Sequence, residues 1–276
     1  MKETQFDKDI ALTPISDNHY QVDISDTWNV TIGPNGGYVA AIILNGMKAQ
    51  LGDVQTRSVT LHYLSASVPG PAVLHVNVEK KGRSLSTCTA RLLQGERTIA
   101  ISMATFASAR EFYSFRDFDM PVVPSPDDIA PTLRMNPNLV GHVPFRDHFD
   151  QRLAIGPIPP ATADEGRVGG WTRFVNHREY DDLAIVAISD SWFPGLNVKD
   201  TPVPMHAPTV DHSVHFLTSV PLDSIKIDDF LLVEFTTHVA QEGYLLENGK
   251  IWSTDGDLIA QSRQLAIMLP RDDQSN

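Results

Sequence analysis

The chain of 276 residues has one cysteine, Cys88, which excludes an intrachain disulfide and a cysteine-rich metal site. Positive charge is scarce: 22 Lys and Arg against 34 Asp and Glu give a net charge of −12, which argues against a nucleic-acid partner. No apolar run approaches the roughly eighteen residues of a membrane span, and the first ten residues lack the apolar core of a secretory signal. We therefore expect a cytoplasmic protein without a membrane span, and we expect no metal or other cofactor.

A helix that is apolar on every side stands out in the first half. In GPNGGYVAAIILNG, residues 33–46, two adjacent glycines precede a run of small and apolar residues, which predicts a helix from Gly36 to Leu51. Such a helix must be buried on all faces, so a long antiparallel sheet curled around it is expected. The glycines permit close approach to another backbone, and their amides are candidates to receive a carbonyl oxygen or an anion. A glycine-rich turn that caps an ordinary core helix is the alternative.

Segments rich in β-branched residues predict strands on both sides of a proline-rich stretch at residues 110–148. The proline-rich stretch at residues 110–148 has no periodicity and is interpreted as a linker that crosses a domain surface. A second helix is predicted at residues 178–193. The strands are predicted at residues 56–67, 72–81, 84–94, 97–108, 149–155, 169–175, 208–221 and 230–241, with a hairpin at 249–269.

The second half repeats the order of the first, which favours an internal duplication. LHYLSASVP at residues 61–69 matches VHFLTSVP at residues 214–221, and TIAISMATFA matches LIAQSRQLAI. The matches place Thr209 opposite Thr56 and place Gln264 opposite Ala104. A gapless count, which crosses a loop, also places Asp190 near Gly37. The second copy therefore carries polar side chains where the first copy has small ones.

From roughly Trp28 to Leu269 the chain resembles the acyl-CoA thioesterase II family and its thioesterase-like relatives. The resemblance rests on NGGYVAA, on the strands that begin with LHYLSASVPG, and on AISDSWF, PTVDHSVHF and STDGDLIAQSRQ. It implies an α+β double hotdog fold, in which two long antiparallel sheets are each wrapped around a central helix. The expected divisions are an N-terminal hotdog at 1–109, a proline-rich linker at 110–148 and a C-terminal hotdog at 149–276.

The same resemblance implies a catalytic trio of Asp190, Thr209 and Gln264. In the family these three side chains hold the water that attacks the thioester. The family usually continues with an acidic residue and a glycine after the glutamine, whereas this chain has Leu265 and Ala266. A carboxylate can accept a proton from water, and threonine and glutamine can fix that water by hydrogen bonds.

Further residues are candidates to bind the substrate. The amides around Gly36 and Gly37 are candidates for contacts with the thioester oxygen. The only compact basic cluster could meet the CoA phosphates, and a solvated hairpin end is the alternative. Two aromatic residues that follow the aspartate of the trio could line an acyl pocket or belong to the core. The basic cluster is Lys80, Lys81 and Arg83, and the aromatic pair is Trp192 and Phe193.

Other reaction classes fit less well. There is no GxSxG motif, so a serine-hydrolase elbow is absent. His212 and His215 lie three apart on a predicted strand and face opposite sides, which argues against a metal site. An enoyl-CoA hydratase on the same fold has a histidine shortly after its aspartate, whereas Asp190 is followed by SWFPGLN.

The sequence thus predicts a hydrolase of lipid metabolism that cleaves an acyl-CoA, or another acyl-pantetheine, to a carboxylic acid and a thiol. Two alternatives stay open. One is a biosynthetic enzyme that releases or cyclises an acyl chain from a carrier protein, and the other is a double hotdog that binds acyl groups without catalysis. The unpaired backbone groups of long edge strands can pair with another chain, so a homodimer or higher homo-oligomer is expected.

Overall fold

The computed structural model describes residues 3–52, 54–131, 143–201 and 205–270. The α-helices are α1 (Gln5–Asp9), α2 (Gly36–Leu51) and α3 (Asp182–Ile188). The strands are β1 (Thr13–Ser16), β2 (His19–Ile24), β3 (Asn29–Val30), β4 (Gly33–Pro34), β5 (Thr56–Tyr63), β6 (Gly70–Lys80), β7 (Ser86–Gln94), β8 (Arg97–Phe106), β9 (Phe149–Ile155), β10 (Arg167–Phe174), β11 (Met205–His206), β12 (Thr209–Phe216), β13 (Leu231–Gln241), β14 (Tyr244–Trp252), β15 (Leu258–Ile267) and β16 (Leu269–Pro270). Short 3₁₀ turns lie at Asp26–Trp28, Pro126–Asp128, Pro144–His148 and Gly195–Val198.

Twelve strands form one sheet, and its order is the same in the two halves of the chain. Outward from the centre the first half runs β5, β8, β7, β6, β2, β1, and the second half runs β12, β15, β14, β13, β10, β9. The repeated order confirms the predicted duplication. The two expected sheets are joined edge to edge, because β5 pairs with β12 and the hydroxyls of Thr60 and Ser213 lie 3.0 Å apart.

Helix α2 begins and ends at the predicted residues, and it is buried along most of its length. It contacts β6, β7 and β8 of the first half and packs against α3 of the second half. The helix does have a polar cap in front of its glycines, since Asn35 Oδ1 accepts a hydrogen bond from the Tyr38 amide at 3.0 Å. The pair of glycines therefore follows an ordinary cap and serves the packing of the first turn.

Helix α3 is shorter than predicted. It begins after Asp181, whose carboxylate accepts a hydrogen bond from the Ala184 amide at 2.9 Å, and it ends at Ile188. Ser189 caps its end, and the Ser189 hydroxyl donates to the Val186 carbonyl oxygen at 2.7 Å. Asp190 therefore lies in the turn after the helix and not within it.

The stretch between the two halves packs on the second one. Met120, Val123 and Ile129 lie against an apolar cluster that includes Trp171 and Trp252. Part of the predicted linker, residues 132–142, lies outside the described residues. The predicted domain boundaries and the homo-oligomer stay predictions. In the part of the chain that the structure describes, no helix is long and apolar enough to cross a membrane.

Candidate active site

A cleft of about 550 Å³ opens where the two halves meet. Its walls come from the start of α2, the turn after α3, the segment that precedes β12, and the facing parts of β14 and β15. The three residues of the predicted trio all line this cleft. Among the other predicted site residues, Gly36, Trp192 and Phe193 also line it.

The carboxylate of Asp190 is held by donors from both halves of the chain. Its Oδ2 accepts hydrogen bonds from the Gly37 amide at 3.0 Å and from Asn35 Nδ2 at 2.9 Å. Its Oδ1 accepts one from Gln264 Nε2 at 3.1 Å. A carboxylate oxygen has two lone pairs, so Oδ2 is filled while Oδ1 can accept one more hydrogen bond.

Thr209 and Gln264 continue this network. Thr209 Oγ1 donates to Gln264 Oε1 at 2.7 Å, and this bond fixes the orientation of the amide that donates to Asp190. The second N–H of that amide and the free lone pairs of Thr209 Oγ1 are left for a further partner. A water molecule beside Asp190 Oδ1 has the size and the hydrogen-bonding groups to take this place.

The glycines at the start of α2 are explained by this contact. A Cβ on Gly37 would lie 2.7 Å from the Ala187 carbonyl oxygen and 2.9 Å from Asp190 Cβ, so only glycine fits. The Gly37 amide is bound to Asp190 and is not free for a substrate oxygen. No hydrogen bond from the Gly36 amide to a described residue is found, so this amide remains as a donor at the positive end of the helix.

Tyr63 is a site residue that the sequence analysis missed. Its hydroxyl donates to the Gly36 carbonyl oxygen at 2.8 Å and so holds the first turn of α2 against β5. Burial, with the nearby charge of Asp190, raises the pKa of Tyr63 well above its usual value. The phenol therefore remains a neutral hydrogen-bond donor. Its position at the end of an alternating strand gave no signal of this contact.

The two aromatic residues after Asp190 differ in their surroundings. Trp192 is buried, and its Nε1 donates to Thr172 Oγ1 at 2.7 Å, so it packs in the core as well as lining the cleft. Phe193 is partly exposed in the cleft wall. Both residues therefore line the cleft, Trp192 also belongs to the core, and a contact of either with an acyl chain stays a prediction.

The predicted phosphate-binding cluster lies elsewhere. Lys80 ends β6, Lys81 and Arg83 follow in the exposed turn before β7, and none of the three lines the cleft. Arg146 does line it, on the 3₁₀ turn Pro144–His148. Burial lowers the pKa of the Arg146 guanidinium, and the side chain forms no ion pair with a described residue.

The two predicted histidines face opposite sides of β12, as expected. His212 is buried and burial lowers its pKa, whereas His215 is exposed. Within the described ranges, no group of three or more His, Cys, Asp or Glu side chains is arranged to hold a metal ion.

Of the residue equivalences that we predicted between the two copies, one is wrong. Gln264 pairs with His212 on β12, and Ala104 pairs with Val59 on β5. His212 and Val59 correspond in the alignment of the two copies, so Gln264 and Ala104 correspond as predicted. Asp190, however, follows the end of α3 while Gly37 lies at the start of α2, so the two are in contact and not equivalent. The gapless count failed because the segment between α3 and β12 is much longer than the segment between α2 and β5.

The end of the helix pair opposite the trio is closed by an ion pair. Here Asp182 at the start of α3 accepts hydrogen bonds from Thr56 Oγ1 and from Lys48 Nζ, both at 2.5 Å. Thr56 is the counterpart of Thr209, so a charged pair fills the position that corresponds to the open cleft. The duplicated fold therefore presents one cleft of this kind in its described part.

Comparison with known proteins shows the family of the chain. The acyl-CoA thioesterase N-terminal domain family matches residues 24–107, and the acyl-CoA thioesterase C-terminal domain family matches residues 123–268. The chain belongs to the acyl-CoA thioesterase family. The fold and the family expected from the sequence are thereby confirmed.

Individual relatives of this thioesterase family member are distant. Human acyl-coenzyme A thioesterase 8 is 21% identical over 84% of this chain and 79% of its own length. The thioesterase-like protein TwmA of Talaromyces wortmannii is 22% identical over 92% of this chain and 89% of its own length. A conserved protein of unknown function with a hot dog fold from Alicyclobacillus acidocaldarius has 25% identity and a TM-score of 0.85, with 98% of this chain and 99% of that chain covered.

Proposed function

We propose that the protein hydrolyses acyl thioesters of the CoA type, with Asp190 as the base that takes a proton from the attacking water. The observation that carries this proposal is the state of the two carboxylate oxygens. Oδ2 is occupied by two donors, whereas Oδ1 has one lone pair left beside Gln264. A rigidly held carboxylate with one open position in a cleft is suited to general-base catalysis.

In the proposed reaction, Gln264 and Thr209 orient the water, and its oxygen attacks the thioester carbonyl carbon. Asp190 Oδ1 takes the proton as the new C–O bond forms. The negative charge that develops on the carbonyl oxygen lies near the free Gly36 amide, at the positive end of α2. The C–S bond then breaks and the thiol departs.

A second candidate is the release of an acyl chain from a carrier protein. The match to a thioesterase-like protein supports it, and both reactions attack the same pantetheine thioester. The third alternative, acyl binding without catalysis, would be favoured by an Asp190 that lies on the surface or is bound away from the cavity. Asp190 lines the cleft and is held within hydrogen-bond distance of Gln264, which favours the catalytic readings.

The direct test is the release of free thiol from acyl-CoAs of increasing chain length, measured with a thiol reagent. We expect hydrolysis that depends on chain length, since the cleft has a fixed volume of about 550 Å³. The same acyl chains on a phosphopantetheinylated carrier protein provide the second arm. Release from the carrier alone would favour the second candidate, and release from neither would contradict thioester hydrolysis.

We further propose that Arg146, and not the predicted cluster at Lys80, Lys81 and Arg83, binds the CoA phosphates. Its guanidinium is positive, lies in the cleft wall and has no acidic partner among the described residues. A half-buried cation without a counter-ion is costly, and a phosphate of the ligand would satisfy it with charge-assisted hydrogen bonds.

Arg146→Gln is expected to raise KM for the preferred acyl-CoA by about tenfold, the value of one charge-assisted hydrogen bond. The N-acetylcysteamine thioester of the same acid lacks phosphates, so its kinetics should not change. Lys81→Gln is the matched control and should leave both substrates unaffected. An equal change for both thioesters in Arg146→Gln, or a raised KM in Lys81→Gln, would contradict this assignment.

A further inference from the structure

A second carboxyl group faces the cleft, on Glu247 of β14. Its residue is 5% exposed and lines the same cavity as Asp190. Buried residues alternate along this part of β14, so Glu247 points inward together with Leu245. An acidic side chain on the inner face of the sheet is unusual, because an ionised carboxylate loses its hydration there.

The hydrogen bonds of Glu247 use only one of its oxygens. Oε2 accepts from the Gly195 amide at 2.7 Å and from Thr237 Oγ1 at 3.1 Å. No hydrogen bond between Oε1 and a described residue is found, and Oε1 is not among the buried side-chain atoms that lack a partner, so Oε1 is at least partly accessible. A carboxylic acid that accepts two hydrogen bonds at one oxygen carries its proton on the other. When Glu247 is protonated, its proton is therefore on Oε1.

Glu247 is also a neighbour of the trio. It lies directly opposite Gln264 across β14 and β15, so their Cβ atoms are about 5 Å apart on the same face. Gln264 in turn contacts Asp190 at 3.1 Å. Two carboxyl groups thus flank one glutamine, and their surroundings differ: Asp190 has three donors, while Glu247 has two and lies beside the apolar Leu245 and Ala266.

Burial raises the pKa of Glu247 to about 7. The bonds from Gly195 and Thr237 oppose this rise, and the negative charge of Asp190 adds to it. Of the elements packed against Glu247, β13 contributes the neutral Thr237 and β15 the neutral Gln264. Among the described residues, Asp190 is the one charged group that acts on it. Paired carboxyl groups with opposed surroundings are the usual arrangement for one acid and one base.

We propose that Glu247 is the general acid of the reaction and that its Oε1 donates a proton to the departing thiolate. The proposal rests on the proposed thioesterase function. Water adds to the carbonyl carbon and gives a proton to Asp190; the C–S electron pair moves to sulfur, which takes the proton of Glu247. Asp190 then loses its proton to solvent and Glu247 regains one, so that thioester and water yield carboxylic acid and thiol.

The test compares two leaving groups on the acyl chain that the wild type prefers. An N-acetylcysteamine thioester releases a basic alkyl thiolate, whereas a thiophenyl ester releases an aryl thiolate that needs no proton. Glu247→Gln keeps an acceptor for Gly195 and Thr237 and removes the acid. We expect kcat/KM to fall by about a hundredfold for the alkyl thioester and to change little for the aryl thioester.

The pH profile gives a second readout. The acid form of Glu247 is present below its pKa, so wild-type turnover of the alkyl thioester should fall as pH rises through about 7. Glu247→Gln should lack this fall. Glu234→Gln is the matched control, because Glu234 is equally buried but lies on β13, pairs with Arg167 at 2.7 Å and does not line the cleft.

Equal losses with both thioesters would mean that Glu247 only holds the loop at Gly195, and would overturn the proposal. The proposal would also be overturned if Glu247→Gln showed the same leaving-group dependence as the wild type. It would be overturned as well if the control Glu234→Gln showed the leaving-group dependence expected of Glu247→Gln. If the wild type releases neither thiol, the proposed function itself fails and this assignment fails with it. Thiol release by the wild type therefore distinguishes failure of the proposed function from failure of the Glu247 assignment alone.

Discussion

Asp190→Asn is expected to lower kcat/KM for the preferred acyl-CoA by a hundredfold or more, the usual contribution of a general base. An amide cannot take the proton of the attacking water. Its oxygen can still accept from the Gly37 amide at the position of Oδ2, so the start of α2 keeps its contact with the turn after α3. The measurement is thiol release under kcat/KM conditions, together with acyl-CoA binding by calorimetry.

Binding should persist in Asp190→Asn while turnover is lost, because the substitution removes a group needed in the transition state. Asp211→Asn is the control, since Asp211 lies two residues beyond Thr209 on β12 and does not line the cleft. Its activity should stay close to that of the wild type. Retention of more than about a third of the activity in Asp190→Asn would exclude the base assignment.

Gly37→Ala is expected to affect both stability and catalysis. The new Cβ would lie 2.7 Å from the Ala187 carbonyl oxygen and 3.1 Å from the Val186 carbonyl oxygen. These are backbone atoms of α3 and cannot rotate away, so the two helices must separate. We expect the free energy of unfolding to fall by about 1–3 kcal/mol, as for overpacking in other cores.

The catalytic effect follows from the same displacement. Asp190 Cβ lies 2.9 Å from the new Cβ, so its carboxylate must move relative to Gln264. A shift of about 1 Å in a catalytic group costs on the order of a hundredfold in rate. Thermal melts and thiol release measure the two effects. Ala49→Ser, exposed on the same helix, is the control, and a wild-type melt with full activity in Gly37→Ala would contradict the expectation.

The fold was predicted from the sequence where the pattern is local and strong. The bounds of α2 were predicted correctly because its apolar run is bounded locally, by the cap at Asn35 and by Gly52 with a φ of 84°, and β9 was predicted correctly as well. The predicted second helix, at 178–193, was too long at both ends. Its cap at Asp181 was readable in the sequence, whereas the end at Ile188 was not, since Pro194 restricts only the residue before it, where the predicted helix ended.

The site was only partly accessible from the sequence. The trio was named from the family resemblance, and the structure brings its members into one hydrogen-bonded network. The assigned roles remain to be tested by the variants above. Glu247 was missed because the predicted hairpin began at Gly249, whereas β14 begins at Tyr244. Arg146 was missed because a proline-rich stretch has no period from which its direction could be inferred.

The sequence by itself determined the buried helix, the alternation of the strands and the repeated unit, because each of these depends on neighbours along the chain. Only the tertiary structure decided that Gly37 and Asp190, 153 residues apart, are in contact. It also decided that Glu247 lies beside Gln264 in the cleft, and that Lys80 does not line it. Alternation assigns a side chain to a face of the sheet, but its burial and charged neighbours depend on which distant segment covers that face.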